Sequence, residues 1–194
     1  MKALDLACPL FLTQNDGTLT TAASAARLPI RTFASGPTNS MRGAAFLAGL
    51  DEKQTTQQRK STIVADIGGT TTDVGVLLPS GFPRQAASFI EVGGVRTNFA
   101  MADVQSIGLG GGSRVKIMET PQGRNVTVGP DSVGHYIMRD ARVFGGDVLT
   151  ATDVVVADGR TELGVKENVA EVDREVIEKA SRVMKKQLEG IIDK

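Results

Sequence analysis

The chain has no tryptophan, one tyrosine (Tyr136), one histidine (His135) and one cysteine (Cys8) among its 194 residues. Each shortage excludes a class of function. Aromatics at 4% provide no platform on which bases could stack. A single cysteine cannot close a disulfide within the chain, which suits a cytoplasmic protein. A lone histidine rules out a multi-histidine metal centre. No apolar run approaches the roughly 20 residues needed to span a bilayer, so no membrane partner is expected. The first residues carry only Lys2 and are interrupted by Asp5 and Pro9, which does not read as a signal peptide. Charge of one sign is missing too. Lys+Arg and Asp+Glu balance at 22 each with no basic stripe, which argues against nucleic acid.

What the chain has is core-forming residues and glycine. Apolar residues make up 41%, enough for a packed core, and the length allows one good-sized domain or one and a half small ones. The 22 glycines cluster at 68–69, 93–94, 108–112 and 145–146. Such clusters mark tight turns and close backbone approach, as in an α/β or α+β protein whose site is built from turns.

Residues 10–14 read as a short strand and Asn15-Asp16-Gly17 as a turn. A short helix is expected over 20–27 and an extended segment over 29–33. Thr38 or Asn39 can cap a helix, rich in small residues, that runs to about Leu50. Residues 51–60 read as a solvated linker. Residues 62–67 form a strand of buried type, and 73–79 a second one joined to it as a hairpin. Further strands are expected over 86–92 and 125–128, the latter closed by Gly129-Pro130, and 104–109 and 113–118 flank the run Gly110-Gly111-Gly112. Residues 132–139 are ambiguous, and 153–157 suit a strand or a short helix. From about Lys166 to Ile192, apolar residues recur at helical spacing opposite a charged face, the pattern of a helix that packs on a core. The sequence thus divides into 1–60, 61–165 and the terminal helix 166–194.

The stretch with chemical content is Asp66-Ile67-Gly68-Gly69-Thr70-Thr71-Thr72-Asp73. A phosphate needs donors from several directions, and the backbone N–H groups of a tight turn supply them. Glycine at 68 and 69 lets the anion approach, and Thr70, Thr71 and Thr72 add hydroxyls. Asp66 and Asp73 would repel a bare phosphate, but they make sense with Mg2+ between. The pattern is not a Walker loop, since no Gly-Lys-Ser/Thr follows. It is not a Rossmann turn, since strand rather than helix follows the glycines. The alternative is an ordinary hairpin, although free hairpins more often turn on Asn-Gly or Asp-Gly. Gly110-Gly111-Gly112, followed by Ser113, is either a second close approach to the ligand or a flexible loop. Asp103 can orient a ligand or cap a turn, and His135 is functional or structural.

The 66–74 stretch resembles the phosphate motif of the actin, Hsp70 and sugar-kinase superfamily. Within it, the chain resembles the hydantoinase/oxoprolinase family, the A-type subunit of ATP-dependent hydantoinases and 5-oxoprolinases. Three further stretches are similar to that family in the same order. These are Ser35-Gly36-Pro37 with Gly43-Ala44-Ala45, then Ser106-Ile107-Gly108-Leu109-Gly110-Gly111-Gly112-Ser113, then Val128-Gly129-Pro130-Asp131-Ser132-Val133-Gly134. The resemblance implies an α/β fold of the ribonuclease-H-like, actin-like ATPase kind, with a mixed sheet and flanking helices. It implies ATP and Mg2+ as cofactors and a small-molecule cyclic amide as substrate. The amide is phosphorylated from ATP so that its ring can open. Gly68 to Thr72 and Gly110 to Ser113 would hold the nucleotide, and Asp66 and Asp73 the metal. No general base can be named.

Two departures stand out. Where the family runs through Pro-Gly-Pro-Ala-Cys-Tyr-Gly, this chain has a different stretch over 135–147, before Thr150-Ala151-Thr152-Asp153 resumes the pattern. The family also implies an upstream half with its own Asp-x-Gly-Gly-Thr motif, which nothing before Asp66 supplies. The expectation is a portion of a larger protein, completed by that upstream half or a B-type subunit, with homo-oligomers left open. The competing reading is a non-catalytic nucleotide-binding or scaffold module of the same fold.

Overall fold

A computed structural model describes residues 7–50, 60–86, 90–92, 94–97, 101–121 and 123–193. The expected linker at 51–59 and part of the strand expected over 86–92 lie outside them. The chain divides into two compact units, residues 1–66 with 75–104 and residues 67–74 with 105–194. Three strands, β3 (Thr62–Ile67), β4 (Thr72–Leu77) and β7 (Val104–Ile107), form a sheet in the order β3-β4-β7.

In the first unit, β1 (Phe11–Thr13) and β2 (Leu19–Thr21) pair antiparallel around the expected Asn15-Asp16-Gly17 turn. Helix α1 (Ala22–Arg27) starts where Thr21 accepts the amide of Ser24, an N-cap that satisfies one orphan donor. Residues Pro29–Thr32, expected extended, form a 3-10 turn instead. Proline at its first position has the right φ and no N–H to satisfy. Helix α2 spans Ser35–Leu47, three residues earlier than its expected cap. Its entry is Ala34 in the left-handed region (φ 52°), and Pro37 fits inside the first turn because amides there have no partner in the helix. Met41 and Ala45 of α2 form a core with Leu77, flanked by Leu50, Val64 and Val104. Gly75 makes that packing possible, because a Cβ there would lie 2.7 Å from the Met41 side chain. Strand β3 is not of buried type. It alternates, and Ile63 and Ile67 are exposed, as a two-residue period requires of a strand with one covered face. Strands β5 (Ile90–Val92) and β6 (Val95–Thr97) form a small antiparallel pair.

The second unit is built on a long antiparallel hairpin, β8 (Ser113–Thr120) with β9 (Gly123–Ser132). β9 runs through Gly129-Pro130 rather than stopping there. The ambiguous segment 132–139 resolves into a 3-10 turn (Gly134–Tyr136) and a short helix, α3 (Ile137–Asp140). Residues Ala151–Ala157 form α4 rather than a strand. Helix α5 (Arg174–Ile192) begins eight residues later than its apolar spacing suggests, where Asp173 accepts the amide of Glu175. Its inner face packs as expected. Val176, Ile177, Ala180 and Met184 join Leu109, Val126, Val128, Leu149 and Val154 in one core. Polar pins fix α5 on the hairpin, with Lys179 donating to the Arg124 carbonyl at 2.7 Å and Gln187 to the Val128 carbonyl at 3.2 Å. Among the described residues, no helix is long and apolar enough to cross a membrane.

Candidate functional site

The second unit brings the two glycine turns together. The turn 68–71 closes on itself through the Gly68 amide and the Thr71 carbonyl (2.9 Å). The turn 110–112 then docks on it. Gly111 donates to the Gly68 carbonyl (2.9 Å) and Gly112 to the Gly69 carbonyl (2.7 Å). The glycines of the second turn are required by contact rather than by conformation. A Cβ on Gly110 would sit 2.6 Å from both the Gly68 carbonyl oxygen and the Thr70 nitrogen, and one on Gly112 would sit 2.9 Å from the Gly69 oxygen. Backbone cannot yield at such distances, so only glycine fits.

The predicted ligand-holding residues separate into two groups. Thr72 is fully buried and gives its hydroxyl to the Leu109 carbonyl at 2.6 Å, so that hydroxyl braces the fold. Ser113 is also fully buried, and its Oγ accepts the Gly110 amide at 2.9 Å. With Gly111 and Gly112 donating to the other turn, every amide from 110 to 112 is engaged. Gly69, Thr70 and Thr71 differ. They are exposed, and among the described residues their three backbone amides have no intramolecular partner. Consecutive open amides in a turn form a concavity suited to an anion.

Asp73, on β4, is half-buried and accepts a hydrogen bond from the Ser106 hydroxyl of β7. Asp66 belongs to the first unit. Among the described residues, no three His, Cys, Asp or Glu side chains cluster as a metal cage. Magnesium needs none, since it keeps several waters and takes one or two carboxylates plus phosphate oxygens. Asp103 is in an ion pair with Arg84 (2.8 Å), which gives it a structural partner in the first unit. His135 is exposed and lies against Tyr136 with ring centroids 3.8 Å apart and the rings tilted by 41°.

Sequence reasoning missed the residues that hold the interlock from outside. Thr152 donates both its amide and its Oγ1 to the Gly111 carbonyl, each at 2.9 Å. The Ser132 hydroxyl donates to the Gly69 carbonyl at 3.3 Å and accepts the Gly134 amide at 3.0 Å. Thr152 sits in the first turn of α4, which a capping box fixes. Thr150 accepts the Asp153 amide, while the buried Asp153 carboxylate accepts the Thr150 amide (2.7 Å), the Thr150 hydroxyl (2.9 Å) and the Val143 amide (2.7 Å). The Thr-x-Thr-Asp spacing was the available signal. The first threonine and the aspartate cap the helix, and the second threonine grips the turn.

Beside the interlock lies a cavity of about 480 Å³. Thr72, Gly110, Gly111 and Thr152 line one side, and Met184 and Leu188 of α5 are on the other, with Arg160 and Lys185 also in its wall. Its size falls within the range of small-molecule sites, and its lining is mostly apolar with a few polar groups, as such sites usually are.

The hydantoinase/oxoprolinase family model matches residues 1–193. The chain belongs to the hydantoinase/oxoprolinase family. Among curated proteins, no sequence matches it. Among solved structures, it is similar to the nucleotide-free structure of acetone carboxylase, from work on the mechanism of ATP-dependent acetone carboxylation. The TM-score is 0.64 at 20% identity, over 88% of this chain. At that identity the likeness shows the fold, and the mixed α/β architecture with flanking helices agrees with the one expected. The chain spans about a quarter (24%) of the length of that neighbour.

Proposed function

We propose that the second unit holds the phosphates of ATP at the turn 68–71, as part of an ATP-dependent enzyme that opens a cyclic amide. The observation that carries this reading is the contrast within the interlock. Its internal amides are satisfied, while those of Gly69, Thr70 and Thr71 point to no protein partner. The residues present fit a magnesium nucleotide. The open amides and the hydroxyls of Thr70 and Thr71 would take phosphate oxygens. Asp73, steadied by Ser106, would take a metal-bound water. Asp66 stands as a candidate on its sequence position. Magnesium would neutralise charge between phosphate and carboxylate. The cavity beside Gly110 and Gly111 would receive the nucleoside.

The chemistry follows from what a lactam lacks. Its carbonyl is a poor electrophile. Transferring the γ-phosphoryl group to the carbonyl oxygen, with ADP leaving, makes the carbon electrophilic enough for water to add and for the ring C–N bond to break, with the nitrogen departing as an amine. The acyl phosphate so formed then loses phosphate to a second water. Phosphoryl transfer asks the protein mainly for positioning and charge stabilisation, which a row of open amides in a braced turn would provide. The neighbour's ATP-dependent carboxylation of acetone is likewise ATP-dependent chemistry on a carbonyl-bearing small molecule.

A second reading, a nucleotide-binding or scaffold module without catalysis, is favoured by how much of the glycine chemistry is spent on bracing. Calorimetric titration with Mg-ATP decides between a nucleotide site and a scaffold. The reading expects saturable binding that Gly69→Asp abolishes. A Cβ at that position has nothing within 4 Å, so the fold tolerates the side chain while its charge repels phosphate. Absence of binding by the unaltered chain would leave the scaffold reading. Ring-opening assays on 5-oxoproline and hydantoins with the full-length protein test the substrate class, and phosphorylation of a sugar instead would overturn it.

A further inference from the structure

We infer that Ser132 and Thr152 are positioning residues for the phosphate turn, Ser132 by holding the Gly69 carbonyl oxygen away from the anion and Thr152 by fixing the second turn, whose amides occupy the Gly68 and Gly69 carbonyls. This rests on the reading of 68–71 as a phosphate site.

An anion site made of backbone carries its own antagonist, because every N–H has a carbonyl beside it whose lone pairs repel a phosphate. The turn works only if those carbonyls are occupied elsewhere. Here they are. The Gly68 oxygen accepts from Gly111, the Thr71 oxygen from Gly68, and the Gly69 oxygen from Gly112 and the Ser132 hydroxyl. The second turn carries the load of two of these bonds, so its own geometry has to be held. Thr152 does so with two donors on the Gly111 carbonyl, and the Thr150–Asp153 box fixes Thr152 in turn. Ser132 and Thr152 enter from different elements, the end of β9 and the start of α4. Neither bond forms within a local turn, Ser132 being 63 positions from Gly69 and Thr152 41 positions from Gly111. Two distant hydroxyls on the carbonyls of one interlock orient a row of amides that they do not touch.

The test uses the chain as it stands, with Thr152→Val, Thr152→Ser and Ser132→Ala. Mg-ATP and adenosine are titrated into each, and order parameters of the Gly69–Thr71 amides are measured by nitrogen-15 relaxation without ligand. Thr152→Val keeps the shape and the amide donor and loses only the hydroxyl. It is expected to weaken Mg-ATP binding roughly three- to tenfold, the equivalent of one net hydrogen bond, to weaken adenosine binding clearly less, since Thr152 also lines the neighbouring cavity, and to lower those order parameters. Thr152→Ser restores the Mg-ATP affinity and the order parameters. Ser132→Ala acts in the same direction and more weakly, its bond being longer. The proposal is overturned if Thr152→Val binds Mg-ATP as the unaltered chain does with unchanged order parameters. It is equally overturned if Mg-ATP and adenosine lose affinity alike and serine does not rescue. If the unaltered chain binds no Mg-ATP, the phosphate reading itself fails and this inference falls with it, an outcome distinct from the other two.

Discussion

Two glycine turns of the same unit lie against each other and do opposite work. In 110–112 every amide is engaged, and glycine is there because a side chain would collide with the partner backbone. In 68–71 the Gly68 amide closes the turn, while the next three are open, and a Cβ on Gly69 would meet nothing within 4 Å. One turn is a buttress and the other presents donors. Glycine content alone does not separate them. Two independent features do, the space around a hypothetical Cβ and the destination of each N–H. If the comparison is right, substitutions in the buttress should cost stability, and substitutions in the donor turn should cost ligand affinity.

The largest effect should come from the anchor of the buttress. Asp153→Ala leaves the buried donors of Thr150 and Val143 unpaired and removes the capping box, for a loss of about 2–4 kcal/mol. Chemical denaturation measures it. A loss within experimental error would mean that α4 does not hold the second turn.

Next comes the direct contrast. Gly110→Ala drives a methyl group against immovable backbone and should cost about 1–3 kcal/mol. Gly69→Ala should change stability by no more than about 0.5 kcal/mol, as surface substitutions usually do, yet weaken Mg-ATP binding by crowding the open amides. Thermal melts and calorimetry on the pair give both numbers. Equal stability losses at the two positions would erase the distinction.

The donor turn was legible from sequence because its signal is local, a strand, a glycine pair, hydroxyls and a second strand in one short run. The buttress was legible only as a glycine cluster. Its purpose depends on a contact between residues some 40 positions apart in sequence, which no local pattern encodes. Thr72 shows the same limit. Its hydroxyl looked like a ligand donor beside Thr70 and Thr71, but alternation along β4 turns it inward to the Leu109 carbonyl. The start of α2 was missed because Ser35-Gly36-Pro37 reads as punctuation, whereas Ala34 supplies the left-handed entry and Pro37 falls in the first turn. The terminal helix was legible in full as a face, since its 3.6-residue period extends over five turns, and misplaced only at its start.

Thr72 makes the next prediction. Thr72→Val keeps the volume and loses the donor, leaving the Leu109 carbonyl unpaired in the core, at a cost of about 1–2 kcal/mol. Mg-ATP affinity should be nearly unchanged in the folded protein. A large loss of affinity at unchanged stability would return Thr72 to the ligand-holding set.

The smallest effect separates both turns from the charged surface. The contacts between the two turns are made by amides, carbonyls and hydroxyls, and the carboxylate that supports them is Asp153, under the start of α4. Elsewhere three carboxyls are held below the usual carboxylate range: Asp173 by the Glu175 amide and then Arg124, Asp131 by Lys116, and Asp140 by Arg139. A carboxyl whose folded pKa is depressed contributes stability that is fully present above its unfolded value of about 3.9, and that contribution is lost as pH falls through the lower folded value. Stability should therefore be flat from neutral pH to about 5 as far as these groups are concerned, then decline in acid. Asp173 caps α5, so circular dichroism should show helix loss in that window, and Asp173→Asn should flatten it. The penalties of Gly110→Ala and Thr72→Val should be the same on both sides of the window. If either penalty shrank as Asp173, Asp131 and Asp140 protonated, the interlock would be coupled to these surface pairs, and its separation from them would fail.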